Sequence, residues 1–168
     1  MKAAILLTGD EITRGVVKDS NGGYLAESLT ALGFEVQSIV VVPDSREYIS
    51  HEIRTALSRA DLLLITGGLG TTFDDITLQT VADYLGRELS FDSEYYSALE
   101  ESFLKRFSRE APVGLKRQAL VMQDSVQLPN ISGSARGSFV RTENKEIVIL
   151  PGPPDRKSTR LNSSHRIR

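Results

Sequence analysis

The chain has 168 residues, 40% apolar, 25% charged and 7% aromatic, with a formal charge of −2 and no cysteine. That length suits one domain with an adequate core, and the missing cysteine excludes disulfides, thiolate zinc sites and cysteine nucleophiles. No apolar run approaches the ~20 residues of a membrane span.

The start, MKAAILLTGDE, meets Asp10 and Glu11 at once, so it reads as a first strand and not as a signal peptide. The expected compartment is the cytoplasm, with no membrane partner. Residues 155–168 carry +4, which leaves −6 on residues 1–154. An acidic body is a poor match for a phosphate backbone, so nucleic acid is not the expected partner. The basic tail lacks an apolar face and follows Pro151–Pro154 abruptly. It is expected to be disordered, and it resembles translated adapter sequence more than a natural terminus.

Lys2–Thr8 is a continuous apolar run, as expected of a strand covered on both faces. A loop over Gly9–Lys18 precedes a helix from about Asp19 or Ser20, with Leu25, Leu29 and Leu32 on one face and Gly33 as its stop. Phe34–Val42 is a second strand, ended by Pro43-Asp44. Asp44 and Glu47 have capping-box spacing, with Ser45 a competing cap, before a helix that aligns Ile49, Ile53, Ala56 and Ala60. Leu62–Thr66 is a third strand. It runs through the glycine loop into a helix that begins at the adjacent acids Asp74 and Asp75 and is closed by Gly86.

This β-α-β-α-β-α order predicts right-handed crossovers and a mostly parallel sheet with helices on both faces. Ligands then sit beyond the carboxyl ends of the strands, where the loops Gly9–Lys18, Pro43–Asp44 and Gly67–Asp75 converge. The second half is less regular. Ser93–Arg109 is an amphipathic helix whose Tyr96, Leu99, Phe103 and Phe107 are expected to pack in the core. Leu115–Leu120 carries Lys116 and Arg117 on a short helical turn, and Val126–Leu128, Ser138–Arg141 and Ile147–Leu150 read as strands.

Gly67, Gly68 and Gly70 permit positive φ and close backbone approach to a ligand, and free N–H groups at a helix start favour an anion. Asp74 and Asp75 oppose that reading. A carboxylate about 4 Å from a phosphate is repelled by about 1 kcal/mol in water and about 4 kcal/mol at an intermediate dielectric. A bridging divalent cation removes the conflict. Because neighbouring helical residues diverge by about 100°, Asp75 is assigned to the site and Asp74 to the cap or the outer shell of the cation. The alternative is a plain tight turn with Asp74 as an ordinary cap. Neither common phosphate motif is present: Phe73 stands where a dinucleotide fingerprint needs glycine, and no Gly-Lys-Ser/Thr occurs. The first loop adds Asp10, Glu11, Arg14 and Gly15, then Asp19 and Asn21, with Asp19 also suited to capping. Asp44, facing Asp75, would orient or deprotonate water while its partner holds the cation. His51 is expected to be exposed, and no Ser/His/Asp set is apparent.

The motifs TGDEI, VPD, TGGLGTTFDDIT, KRQALV, LPN and LPGPP, in that order over residues 1–154, resemble the N-terminal domain of the CinA (competence-damage-inducible) family, which is similar to the MoaB/Mog molybdopterin-binding fold. The resemblance implies a three-layer α/β/α sandwich that is often homo-oligomeric. It places Asp44 and Asp75 as the acidic pair and Gly67, Gly68, Gly70, Thr71 and Thr77 in the ligand loop. Gly9, Asp10, Glu11, Asp19 and Asn21 match the first-loop signature, and Lys116, Gln118, Asn130, Gly152 and Pro153 match later loops. The implied activity is a metal-dependent (Mg2+ or Co2+) pyrophosphatase acting on a small phosphorylated ligand such as ADP-ribose. The alternative is a non-catalytic module that binds molybdopterin or a nucleotide. Two departures stand out: Thr71 replaces a frequent proline, and NISGSARG (Asn130–Gly137) replaces an NPxGxAPG loop. Such proteins continue into further domains, including a C-terminal amidohydrolase. A fragment is therefore expected, and that second activity is not attributed to it.

Overall fold

A computed structural model describes residues 1–142 and 144–152. The basic tail and Pro153 lie outside the described residues. Helices α1 (Asp10–Thr13), α2 (Asn21–Ala31), α3 (Arg46–Leu57), α4 (Thr77–Leu85) and α5 (Ser93–Phe107) alternate with strands β1 (Lys2–Thr8), β2 (Glu35–Val42), β3 (Leu62–Thr66) and β4 (Leu89–Phe91). A 3-10 helix (Val113–Ala119) leads into β5 (Leu120–Met122), β6 (Ser125–Leu128), β7 (Gly137–Arg141) and β8 (Glu146–Leu150).

The main sheet has the order β2-β1-β3-β8-β7-β6, parallel from β2 through β8 and antiparallel over β8-β7-β6. Alternation along the strands divides the core between two faces. Ala4, Leu6, Leu63, Ile65, Ile147 and Ile149 pack with Ile49, Ile53 and Ala56 of α3 and with Val81 and Ala82 of α4. Ala3, Ile5, Leu7, Leu62 and Leu64 pack on the other face with Leu29 of α2. Being covered on both sides explains why β1 and β3 contain unbroken apolar runs, and the expected three-layer α/β/α fold is observed.

Several local expectations change. The first loop folds one helical turn, α1, where only loop was expected. Leu32 is the C-cap of α2 and is exposed, so that helix buries Leu29 alone among the three leucines and half-buries Leu25. Helix α4 begins at Thr77 with Ile76 as N-cap. Asp74 therefore does not cap it, and both acids belong to the loop. In α5 only Leu99 is buried, while Phe107 is half exposed and tilts against Phe103 at 4.6 Å. That helix rests on the 3-10 helix and the small antiparallel sheet β4-β5, neither of whose strands was foreseen. Arg87 clips this lobe to the body by donating to the carbonyls of Gln123, Asp124 and Arg141 at 2.9–3.1 Å. No described helix is long and apolar enough to cross a membrane.

Leu63 is fully buried at the centre of the sheet. Leu63→Ala is expected to lower the unfolding free energy by about 2–5 kcal/mol, read from the urea midpoint at unchanged m-value.

Candidate functional site

The parallel strands β1, β2, β3 and β8 end at one edge of the sheet. Strand β6 runs in the same direction, because it is two antiparallel steps from β8. The segments after all five strands therefore meet there, around a cleft of about 800 Å3.

The glycine loop is shaped by close approach. Gly67 has φ 107°, and a Cβ there would strike the Thr8 carbonyl oxygen. Gly68 has φ 64°, and a Cβ there would strike Thr77 Oγ1. Thr77 is fully buried, bonds Thr8 Oγ1 at 3.1 Å and donates its N–H to the Gly68 carbonyl at 3.2 Å. Among the described residues, no hydrogen bond engages the N–H groups of Gly68, Leu69 and Gly70. Consecutive unsatisfied amides of this kind form an anion-binding concavity. Asp75 folds back on the loop and accepts from Thr72 N at 2.8 Å and Thr72 Oγ1 at 2.6 Å. Its carboxylate lies against Gly70 so tightly that a side chain there would collide.

Across the cleft, Asp10 and Asp44 bracket each other. Asp10 N donates to Asp44 Oδ2 and Asp44 N donates to Asp10 Oδ1, both at 3.1 Å. Ser45, not Asp44, is the N-cap of α3, so the Asp44 carboxylate is free for this bracket. Its second oxygen, Oδ1, is buried in the cleft wall with no partner. Burial raises the Asp44 pKa above its ordinary 3.8. The Asp10 N–H opposes that shift, and the Asp10, Glu11 and Asp74 carboxylates add to it. Asp74 moves the other way, held below 3.8 chiefly by the nearby Thr72 hydroxyl, although the hydrogen bond of that hydroxyl goes to Asp75.

Gly9, Glu11, Asn21, Asp44, Gly67, Gly68, Gly70, Asp74, Asp75, Gln118, Asn130 and Gly152 all line the cleft. Asp10, Asp19, Thr71, Thr77 and Lys116 do not. Asp10 orients Asp44 and pairs with Arg14 at 3.0 Å. Asp19 accepts from the Asn21 and Gly22 amides at the start of α2. The Thr71 carbonyl abuts Gly114, Thr77 supports the loop from beneath, and Lys116 lies over the Tyr96 ring at 5.8 Å. Sequence reasoning missed Thr8, Thr66, Thr72, Tyr24 and the apolar wall of Ile12, Val17 and Leu25. Thr8 and Thr66 were signalled by ending their strands at the ligand edge; the apolar wall carried no signal.

Among the described residues, no group of three or more His, Asp or Glu side chains converges on a metal position. A cage built from protein alone is therefore lacking. The usual Mg2+ arrangement needs only one or two carboxylates, completed by ligand phosphate and water, and the acids that line the cleft are Glu11, Asp44, Asp74 and Asp75.

The sequence profile of the family described as "probable molybdopterin binding domain" matches residues 4–163. The chain belongs to that family, as a CinA-like domain of the MoaB/Mog superfamily. It is 37% identical over 153 residues to a CinA-like protein of Thermosipho melanesiensis, covering 91% of this chain and 38% of that protein. The CinA-like domain thus spans well under half the length of that curated relative. The crystal structure of a CinA protein "with unknown function" from Thermoplasma acidophilum superposes with TM-score 0.80 at 27% identity, covering 98% of this chain and 96% of that one. The molybdopterin biosynthesis enzyme MoaB of Thermus thermophilus aligns with TM-score 0.59 at 25% identity, over 91% and 82% of the two chains.

The raised Asp44 pKa has a definite consequence for stability. A carboxylate whose folded pKa lies above its unfolded value favours the fold below the unfolded pKa, and that contribution is lost as pH rises through the folded pKa. Asp44→Asn keeps an oxygen for the Asp10 amide and removes the buried charge. It is expected to melt at or above the wild-type temperature at pH 7. The advantage should shrink as pH falls toward 3.8, as followed by thermal melts across pH.

Proposed function

We propose that the cleft hydrolyses the pyrophosphate of a nucleoside diphosphate sugar such as ADP-ribose with the help of a divalent cation. The observation that carries this reading is Asp44 Oδ1, a buried carboxylate oxygen without a partner, in the wall of the cleft formed by the glycine loop and its three free amides. A proton-hungry carboxylate near a phosphate cradle is the pairing that hydrolysis of an anhydride requires.

In this reading the Gly68–Gly70 amides hold the phosphate oxygens, and their fixed dipoles stabilise charge as it develops. The Asp44 carboxylate accepts a proton from water as the water oxygen bonds to phosphorus. The P–O anhydride bond breaks, and its electrons leave on the departing phosphate, giving AMP and a sugar phosphate from ADP-ribose. Asp10 keeps Asp44 in place through its amide. Thr72 fixes one oxygen of Asp75, so the other oxygen, with Asp74, is available to a cation. A bound Mg2+ or Co2+ would neutralise phosphate charge and acidify water.

The absence of a converged carboxylate trio among the described residues favours a second reading, a non-catalytic module for molybdopterin or a nucleotide within a larger protein. AMP release from ADP-ribose with Mg2+ or Co2+ separates the two. Under the first reading Asp44→Asn lowers kcat by about 100-fold or more with little change in ligand affinity, and Asp75→Asn abolishes the metal response. Absence of turnover with every dinucleotide and metal tried, with ligand affinity unchanged in Asp75→Asn, would leave only the binding reading.

A further inference from the structure

Asn21, Tyr24 and Leu25 stand at i, i+3 and i+4 in the first turns of α2, so they share one helical face. All three line the cleft. None of them takes part in holding phosphate or a cation, which is the work of the glycine loop and the acids.

Close packing fixes the position of this face. Asp19 accepts from the Asn21 and Gly22 amides at 2.8 and 2.9 Å. Gly22 is buried, and a Cβ there would stand 2.8 Å from Ile39 Cγ2 and 3.2 Å from Leu7 Cδ1. The missing side chain lets α2 lie this close to β1 and β2. The next residue of β1, Thr8, is the one that Gly67 approaches from the other side. The α2 face and the glycine loop therefore flank the same strand end.

Tyr24 is 69% exposed. Neither its hydroxyl nor the Asn21 side-chain amide makes a hydrogen bond among the described residues. Gly23 beside them is open, since an added Cβ would meet nothing within 4 Å. Leu7, Ile12, Val17 and Leu25 give the same part of the cleft an apolar wall. An aliphatic guest has nothing to offer the amide, and a bare sugar has no flat face for the tyrosine. A heteroaromatic ring has both, a π-face for Tyr24 and donors and acceptors along its edge for Asn21.

We propose that Asn21 and Tyr24 form the ring subsite of the cleft. Tyr24 stacks on the heteroaromatic ring of a phosphorylated ligand, and Asn21 hydrogen-bonds the edge of that ring. This assignment rests on the reading that the Gly68–Gly70 amides hold phosphate, and not on hydrolysis. A nucleobase and a pterin both present the required face and edge.

The test compares AMP with ribose 5-phosphate by calorimetry in the presence of Mg2+. The two share phosphate and pentose and differ in the base, and neither contains an anhydride to be hydrolysed. Wild type is expected to bind AMP about tenfold more tightly or better, the factor that stacking a base on an aromatic side chain supplies. Tyr24→Ala should abolish the preference by weakening AMP alone, and Tyr24→Phe should keep it. Asn21→Ala should weaken AMP several-fold and leave ribose 5-phosphate unaffected. Because Tyr24 is exposed, Tyr24→Ala should melt close to wild type, which separates lost binding from lost fold. Competition between AMP and neopterin monophosphate assigns the ring, and a Tyr24-dependent preference for either over ribose 5-phosphate upholds the subsite. Equal wild-type affinity for all three, or a preference that survives in Tyr24→Ala, would overturn it and leave the phosphate cradle standing. Binding of none of the three would remove the cradle, and the ring subsite with it.

Discussion

The cleft is shaped by a close approach between the ends of two neighbouring strands. The chain leaving β3 passes so near Thr8 at the end of β1 that Gly67 has no space for a Cβ, and Thr77 leaves none at Gly68. Thr77, at the first turn of α4, closes the gap from below. With the turn fixed in this way, the amides of Gly68, Leu69 and Gly70 have no partner among the described residues, and Asp75 is carried back over Gly70. The cleft and the start of α4 both depend on this approach. A methyl group at either glycine would disturb both together.

The electrostatics of the cleft follow from a different economy of contacts. Asp10 and Asp44 each spend their backbone N–H on the other's carboxylate, which locks the loops after β1 and β2 into register. Asp44 is thereby half-buried among other acids, with one oxygen satisfied and one left bare. The same arrangement accounts for its raised pKa. In the glycine loop the order is reversed: Thr72 donates to Asp75, and the neighbouring Asp74 has its pKa lowered.

How much of this was legible in the sequence depended on the physical origin of each feature. The unbroken apolar runs of β1 and β3 announce strands covered on both faces, and with them the parallel sheet and its ligand edge. The glycines and Asp44 could be placed at that edge by topology alone. The start of α4 was misread because adjacent acids before a helix look like a cap, whereas here the Thr72 hydroxyl and amide capture Asp75 before the helix begins. Thr77, Asp10 and Asp19 were recognised as important, yet they act by holding other groups. That distinction depends on which side of a loop a side chain faces, which no periodicity encodes. The β4-β5 ribbon was invisible for a simpler reason: two three-residue strands separated by nearly thirty residues have no periodic signal of their own.

The position of β8 in the sheet bears on how the chain reaches this state. It lies between β3 and β7, yet it is the last strand among the described residues, so the middle of the sheet is completed by residues 146–150. Until they arrive, the fully buried run Leu62–Thr66 presents an open, apolar edge with unpaired backbone groups, the surface most prone to pair with another chain. Parallel partners so distant in sequence also form slowly, because loop closure must precede the contacts that reward it. During synthesis, therefore, β1, β2 and β3 have to wait for nearly the whole domain to emerge. In that interval the nascent chain is most exposed to misassociation.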